Sequence, residues 1–434
     1  MANFKKSQAA KLFYAFPGVA SAYHFLWAWA GSERYRHPSN KLIVIGVTGT
    51  KGKTTTLELL NAILEAADKR TALLSSLRVK VAGKSEKNRT GNSMPGRAFI
   101  QKFLRRAADA ACEYALIEVT SQGVVMHRHR FVHWNIGVLT NLHPEHIEAH
   151  GSYENYRAAK LSFLWYVVWQ GGRVFLNRDD KEYPFFMQAL TAARGAKSAP
   201  AHYEKEDEFV KNFGPRLRAT GGSFLASDFN MEHVAVAAAI ARTFGIDDAT
   251  IERAILGFPG VPGRMEFVRA GSYIGVVDYA HTPDSLEAAY RAVKPVPAAA
   301  HPHPRLIAVL GAAGGGRDKW KRPAMGAIAA KWCDEIVLTD EDPYDEDPEK
   351  IVDEVEKGVR EALAHDPEKL VRVHRNMDRK AAIREAFAYA RPGDVVIGTG
   401  KGSEEWIHRA GGAKDPWNER EEFEAAMAER MRRA

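Results

Sequence analysis

The residues best suited to chemistry form a glycine- and lysine-rich run, Gly46-Val-Thr-Gly-Thr-Lys-Gly-Lys-Thr-Thr55, between an apolar stretch and an amphipathic one. Backbone N–H groups of such a turn point at phosphate oxygens, and a helix that begins there adds positive potential. We therefore predict a nucleoside triphosphate site in which Lys53 reaches the β- and γ-phosphates and Thr54 holds Mg²⁺. The residues expected around the phosphates are Gly49, Thr50, Lys51, Gly52, Lys53, Thr54 and Thr55. The strict pattern has glycine at position 47, where this chain has valine, and a plain glycine-rich turn is the alternative.

Apolar runs that alternate with helical patterns must position this loop. Residues 42–47 are short, apolar and rich in β-branched side chains, which is typical of a buried parallel strand, and residues 54–67 have helical periodicity. Similar strands are predicted within residues 114–119, 136–141 and 172–177, with Glu118, Asn141 and Asn177 at or next to their ends. Because ligands of parallel α/β sheets collect at the carboxyl ends of the strands, these polar residues should surround the loop.

The chain is long enough for two or three domains, and a Gly/Pro cluster at residues 257–263 suggests a boundary. Strands and helices alternate again beyond it. We predict an α/β protein with a central P-loop parallel-sheet ATPase domain, followed by a smaller Rossmann-like α/β C-terminal domain. The expected divisions are a short hydrophobic N-terminal segment at 1–40, the ATP-binding domain at 41–261 and the C-terminal domain at 262–434.

The amino-acid composition limits the classes of ligand and partner that we expect. The 61 Lys and Arg against 54 Asp and Glu give a net charge of +7, which suits an anionic nucleotide or carboxylate, and no nucleic-acid motif is evident. Two distant cysteines favour a reducing cytoplasm over a disulfide scaffold. Residues 9–30 are aromatic; we interpret them as helices packed on the body, and a peripheral contact with the inner face of the membrane is the alternative.

Ordered sequence blocks follow the loop variant Thr-Gly-Thr-Lys-Gly-Lys-Thr, and together they resemble the Mur ligase family. The resemblance extends from about residue 42 to about residue 410, through blocks at residues 117–123, 140–146, 156–160, 263–266, 277–284, 316–323, 339–343 and 400–404. It implies an ATP-dependent amide ligase of cell-wall precursors. In such an enzyme the acceptor carboxylate takes the γ-phosphate to form an acyl phosphate, and an amino-acid amine then displaces phosphate.

The resemblance also implies catalytic roles for Lys53, Glu118, His146 and Lys160. In the family, residues matching Glu118 and His146 bind Mg²⁺, and the residue matching Lys160 is carbamylated. A carbamate can bind a cation that an ammonium would repel, and its formation needs a neutral amine. The implied metal ligands are Thr54, Glu118, His146 and Lys160. A structural glutamate and histidine, and a lysine in an ion pair, are the alternatives.

Further contacts are implied for the nucleotide and for the two joined substrates. Those to ATP are Asn177, Asn230, Arg264, Asp278 and His281, although position 233, where the family has asparagine, is histidine here. Those to the acceptor and the amino acid are Ser121, Arg97, Asp342 and Glu404. The Asp378-Arg379 pair resembles a family pair that we interpret as structural.

The amino acid added is predicted from the C-terminal domain. Family members that add meso-diaminopimelate carry Asp-Asn-Pro-Arg, whose arginine binds the distal carboxylate as a fork. This chain has Glu341-Asp-Pro-Tyr344 in acidic surroundings, so we predict lysine or another diamine. Residues 1–40 stand where the family has its UDP-binding domain but are too few to form it. The acceptor is therefore expected to be a muramoyl peptide or a related anionic precursor, with either UDP or a different anchor such as a lipid as its handle.

Two other functions stay open at this point. One is a Mur-like ligase with another acceptor, of the folylpolyglutamate or cyanophycin type; the Asp-Tyr-Ala-His-Thr-Pro block at 278–283 favours the cell-wall branch instead. The other is a non-catalytic nucleotide-binding subunit of a cell-wall complex. The presence of Lys53, Glu118, His146 and Lys160 favours an enzyme.

Overall fold

The computed structural model describes residues 17–433, except 97, 146–149, 193–198, 220–224, 226, 295–300 and 317–318. Arg97 and His146 of the predicted site therefore lie outside the described residues. The chain divides into two compact units, Met1–Gly221 with Asp228–Phe258, and Gly222–Ser227 with Pro259–Ala434. No helix in the described part of the chain has the length and hydropathy of a membrane span.

The first unit is built on an eight-stranded sheet with the order β4-β3-β2-β5-β1-β6-β7-β8. Its elements are α1 (Pro17–Arg34), β1 (Ile43–Thr48), α2 (Lys53–Ala66), β2 (Thr71–Leu74), β3 (Arg78–Val81), β4 (Lys84–Lys87), α3 (Phe99–Asp109), β5 (Tyr114–Glu118), α4 (Ser121–Val125), β6 (Ile136–Leu139), α5 (Tyr153–Trp169), β7 (Arg173–Asn177), α6 (Tyr183–Thr191), β8 (Ala201–Tyr203), α7 (Glu208–Ala219), α8 (Asp228–Thr243) and α9 (Asp248–Leu256). Strand β3 pairs antiparallel with both β2 and β4, and the remaining described pairs of this sheet are parallel.

The central strand β1 lies between β5 and β6 and is almost wholly buried. Its β-branched residues suit an extended backbone with both faces covered. Gly46 is required within it because a Cβ atom there would lie 2.6 Å from the Phe163 ring and 2.8 Å from the Trp134 ring. Both rings belong to the core of this unit and are fully buried, so β1 and its following loop rest on a fixed base.

The second unit contains a six-stranded sheet with the order β13-β12-β11-β14-β10-β9, in which only β9 is antiparallel, and a small hairpin. Its elements are β9 (Glu266–Ala270), β10 (Tyr273–Val277), α10 (Pro283–Val293), β11 (Leu306–Leu310), α11 (Lys321–Trp332), β12 (Glu335–Leu338), α12 (Pro348–His365), β13 (Arg372–Arg375), α13 (Arg379–Tyr389), β14 (Val395–Gly398), β15 (Trp406–His408), β16 (Lys414–Pro416) and α14 (Glu419–Arg433). The predicted α/β class is confirmed.

A buried ion pair joins α13 to α14 in the second unit. Arg379 and Glu419 are 1% and 0% exposed at their side chains, and Nη2 of Arg379 lies 2.6 Å from Oε1 of Glu419. The guanidinium also donates to the carbonyls of Asp340 and Thr399, while the Trp417 indole donates to Glu419. Every charged atom of the pair is thus satisfied far from water, which agrees with a structural role for Arg379.

We expect Arg379→Ala to destabilise the second unit by about 3–5 kcal/mol, because it leaves the Glu419 carboxylate buried and unpaired. The urea-induced unfolding transition of this unit would report the loss. Arg360→Ala is the matched control, since Arg360 pairs with Glu356 on the exposed face of α12 and should cost less than about 1 kcal/mol. Equal losses in the two variants would contradict a structural role for the buried pair.

Candidate functional site

The loop between β1 and α2 needs glycine at two positions. Gly49 and Gly52 have φ values of +148° and +78°, which favour a residue without a Cβ atom. A Cβ atom at Gly49 would lie 1.8 Å from Oγ1 of Thr140, and one at Gly52 would lie 2.0 Å from Cε1 of His233. The loop is therefore wedged between the end of β6 and helix α8 of the same unit.

Hydrogen bonds fix the loop to the residues that follow β6. The backbone N–H of Lys51 donates to Oδ1 of Asn141 at 2.9 Å, and the N–H of Thr50 donates to the Asn141 carbonyl at 2.9 Å. Oγ1 of Thr140 donates to the Lys51 carbonyl at 2.6 Å. The side chain of Lys53 curls over the loop and donates to the carbonyls of Gly49 and Thr50 at 3.1 and 2.8 Å. Such an ammonium is placed to meet the phosphates of a bound nucleotide.

A carboxylate and a hydroxyl meet beside the loop. Oγ1 of Thr54, at the start of α2, donates to Oε2 of Glu118 at 3.0 Å, and the Ser76 N–H donates to the same oxygen at 2.9 Å. Both side chains are buried. Hydroxyl and carboxylate oxygens are ligands that Mg²⁺ prefers, so the pair fits this cation. Within the described residues no three His, Cys, Asp or Glu side chains gather as a metal site.

Lys160 on α5 reaches the same loop. Its side chain is 1% exposed, its Nζ donates to the Gly49 carbonyl at 2.7 Å, and it lies 4.6 Å from the centre of the Tyr156 ring. Burial lowers the pKa of Lys160 well below its ordinary value, and repulsion by Lys53 lowers it further. The surroundings therefore favour a neutral amine, which is the form that can react with CO₂.

Residues of α8 and of the β7 end line the opposite side of the loop. The Asn177 amide donates to the Thr140 carbonyl and to Oε2 of Glu232, both at 2.9 Å. Burial raises the pKa of Glu232 to about 7 and lowers that of His233 to about 4, so the imidazole against Gly52 is neutral. Asn230 lies one turn before His233 and is buried. Sequence reasoning missed Glu232, because no motif marked it.

Ser121 begins α4, directly after the end of β5. Thr120 caps this helix by accepting from the Gly123 N–H, and Oγ of Ser121 lies 3.0 Å from Nε2 of His150. The predicted acceptor residue is thus near Glu118 along the chain and buried. Its predicted companion, Arg97, lies outside the described residues.

Three predicted nucleotide residues come together in the second unit. Asp278 follows β10, and its two carboxylate oxygens accept from the N–H groups of Met265 and Ala280, both at 2.7 Å. Its pKa is raised by burial, with a smaller opposing effect from Arg264. The Arg264 guanidinium lies 4.2 Å from the centre of the Tyr279 ring, and His281 contacts the Tyr279 carbonyl. Asp278 therefore links by hydrogen bonds the two backbone segments that carry Arg264 and His281.

The predicted substrate residues Asp342 and Glu404 also meet in the second unit, around a lysine that sequence reasoning left out. Nζ of Lys401 is fully buried and lies 2.9 Å from Asp342 and 2.8 Å from Glu404. Asp342 is buried as well, whereas the Glu404 side chain is 33% exposed. The Lys401 ammonium thus neutralises part of the negative charge that the sequence predicted here. The ring of Tyr344, where an arginine fork would stand, stacks on His408.

Two family models match the chain: the Mur ligase middle domain over residues 47–240, and the Mur ligase, glutamate ligase domain over residues 263–402. A UDP-N-acetylmuramyl-tripeptide synthetase of Roseiflexus sp. is 35% identical over 418 residues, covering 91% of this chain and 80% of that protein. A UDP-N-acetylmuramoyl-L-alanyl-D-glutamate–2,6-diaminopimelate ligase of Thermosynechococcus vestitus is 36% identical over 412 residues, covering 92% and 79%.

Solved structures are similar as well. A UDP-N-acetylmuramoyl-L-alanyl-D-glutamate–2,6-diaminopimelate ligase superposes with a TM-score of 0.57 at 25% identity, covering 90% of this chain and 79% of that one. The E. coli protein FolC, solved with DHPP and ADP, superposes with a TM-score of 0.64 at 17% identity, covering 94% and 93%. At that identity the second similarity concerns the fold alone.

We expect Gly52→Ala to weaken nucleotide binding at least about tenfold, because the new methyl group meets the His233 ring at a positive φ. Isothermal titration with a non-hydrolysable ATP analogue would measure this. Gly83→Ala is the matched control: Gly83 has φ +84° in the same unit, with no atom near its missing Cβ. It should bind nucleotide normally. If Gly52→Ala bound as well as Gly83→Ala, the loop would not be wedged against α8.

Proposed function

The chain belongs to the Mur ligase family, and we propose that it joins lysine, or another diamine without a second carboxylate, to the carboxylate of a muramoyl-peptide precursor of the cell wall. As a member it is an ATP-dependent acid–amino-acid ligase. Its relatives carry two names, tripeptide synthetase and diaminopimelate ligase, so family membership alone leaves the added amino acid open.

The observation that carries the proposal is the cluster around the Gly49 carbonyl, where Lys53 and Lys160 both donate and Thr54 contacts Glu118 nearby. In the first step an acceptor carboxylate oxygen bonds to the γ-phosphorus of ATP and the bond to the β-phosphate oxygen breaks, giving an acyl phosphate and ADP. Lys53 stabilises the charge that moves between the two anions. One such cation contributes about 3–4 kcal/mol to the transition state.

Mg²⁺ would be held by Thr54 and Glu118, joined by His146, and when bound it supplies charge neutralisation at the phosphates. We propose that Lys160 completes this set as a carbamate: its amine lone pair adds to CO₂ and a proton leaves. The lowered pKa of Lys160 supports this, because a buried ammonium next to Lys53 is unfavourable. The carbamate reverses the sign of the charge at that position.

The second step needs a neutral amine beside the acyl phosphate, so that nitrogen bonds to the acyl carbon and phosphate departs. The net charge of the cluster formed by Lys401, Asp342 and Glu404 supports a diamine as the donor of that amine. Asp342 and Glu404 carry two negative charges against one positive charge on Lys401, so the trio keeps a formal charge of −1. The Glu404 carboxylate, one third exposed, would then pair with a side-chain ammonium of the incoming amino acid.

Product analysis tests the substrate assignment. We expect phosphate release from ATP to require both UDP-muramoyl-dipeptide and a diamine, and lysine to give a product whose mass equals the two substrates minus water. Glutamate, alanine and diaminopimelate, a diamine that carries a second carboxylate, are the comparison amino acids, and Lys53→Ala should release no ADP. Phosphate release that ignores the muramoyl peptide, or that needs a folate acceptor instead, would reject the proposal. Preference for diaminopimelate over lysine would reject only the proposed amino acid.

Chemical rescue tests the carbamate. We expect Lys160→Ala to lower kcat by at least about a hundredfold, since one transition-state charge contact is lost, and millimolar formate or acetate to restore part of it by supplying an anion in the same space. Lys53→Ala is the matched control, because it removes a cation from the same carbonyl and no carboxylate can replace that charge. Full activity in Lys160→Ala, or equal rescue of both variants, would refute a carbamate at Lys160.

A further inference from the structure

Helix α1 presents large apolar side chains outward. Val19, Leu26 and Trp29 are 56%, 57% and 48% exposed, although they share one face of the helix. From Pro17 to Ser32 the helix contains no Asp, Glu, Lys or Arg. An outward face of this kind is unusual on a protein surface, where large apolar patches mark interaction sites.

The opposite face of α1 is packed on the body of the first unit. Oγ of Ser21 lies 2.7 Å from Nε2 of His127 on this face, and the Phe25 ring, at its edge and 40% exposed, contacts the Phe131 ring at a centroid distance of 5.1 Å. Gly31 approaches Ala98 so closely that a Cβ atom there would lie 2.6 Å from the Ala98 Cβ. The helix is thus apolar on both faces but anchored by only one, and a helix that is apolar all round is normally covered.

The exposed aromatic surface continues from α1 onto α5. Behind Phe25, the Phe131 N–H donates to the Tyr166 hydroxyl at 3.2 Å, and the Tyr166 ring stacks on Trp169 at 5.7 Å. Trp169 and its neighbour Trp165 are 58% and 41% exposed. Two helices therefore contribute exposed indoles, and contacts through Phe131 and Tyr166 connect them.

Positive charge is concentrated in the same part of the chain. Residues 1–36 contain five Lys and Arg and one Glu, a net charge of +4 out of +7 for all 434 residues. That glutamate, Glu33, lies 3.3 Å from His37. Arg34 and Arg36 are exposed, and neither has a carboxylate partner among the residues that the structure describes. The apolar face thus ends in cations available to an anionic surface.

We propose that the outer face of α1, with Trp165 and Trp169, binds the interfacial zone of an anionic lipid bilayer. Indoles partition to that zone because the ring is apolar and the N–H is polar, while leucine and valine enter the acyl boundary. Arg34 and Arg36 meet lipid phosphates at the headgroup level. This inference goes beyond the ligase reaction and does not depend on it.

Vesicle co-sedimentation tests the proposal on the full chain. We expect binding to vesicles of phosphatidylcholine and phosphatidylglycerol in equal parts, weaker binding to phosphatidylcholine alone, and a loss of binding as salt is raised. Leu26→Ser should lower the partition coefficient about tenfold. Arg34→Gln with Arg36→Gln should lower it about fivefold per arginine on the mixed vesicles only. Leu370→Ser is the matched control, because Leu370 is 90% exposed in the other unit and should have no effect.

Several outcomes would overturn the proposal. One is no binding to either vesicle; another is equal losses in Leu26→Ser and Leu370→Ser. A third is self-association, measured by sedimentation velocity without lipid, that Leu26→Ser abolishes while vesicle binding stays unchanged; it would assign the face to a second copy of the chain. The thermal unfolding midpoint checks that each variant is folded. Vesicle binding is measured without ATP, acceptor or amino acid. Failure of the proposed ligase reaction would therefore not affect this test.

Discussion

Two lysine side chains from different helices donate to one backbone carbonyl, that of Gly49, and the loop between β1 and α2 depends on this arrangement. Two ammonium groups so close together repel each other, and burial makes the repulsion more costly for Lys160. The conflict is relieved when Lys160 is neutral, which is the form that the proposed carbamate requires. Glycine suits this position because its φ is +148° and a Cβ atom there would lie 1.8 Å from Oγ1 of Thr140.

The sheet of the first unit brings the other groups to this carbonyl. Because β1 pairs in parallel with both β5 and β6, the polar residues that follow these strands lie at one edge. Val47 is the register partner of Glu118, and Thr48 that of Leu139, so Glu118 and Thr140 flank the loop from two sides. A shift of one residue in either register would turn these side chains to the opposite face of the sheet.

The second unit shows how tertiary contacts change the meaning of an acidic motif. Asp342 alone suggests a negative site, but Lys401 lies between Asp342 and Glu404 and cancels half of their charge. The buried Lys401 and Asp342 also hold residues 401–408 in place, because Lys401 donates to the Trp406 carbonyl and Asp342 accepts from the His408 N–H. In the proposed reaction, selection of the amino acid by charge would depend on Glu404, whose carboxylate keeps contact with solvent.

The sequence alone determined the phosphate loop, the α/β alternation and the family, because these depend on residues that are close in the chain and on local periodicity. It did not reveal Glu232 beside Asn177 or Lys401 beside Asp342, nor that Lys160 would be enclosed against Gly49, 111 residues away. Such partners, and the pKa shifts that follow from them, arise only when the folded chain removes water and brings distant side chains together. Local patterns contain no information about that enclosure.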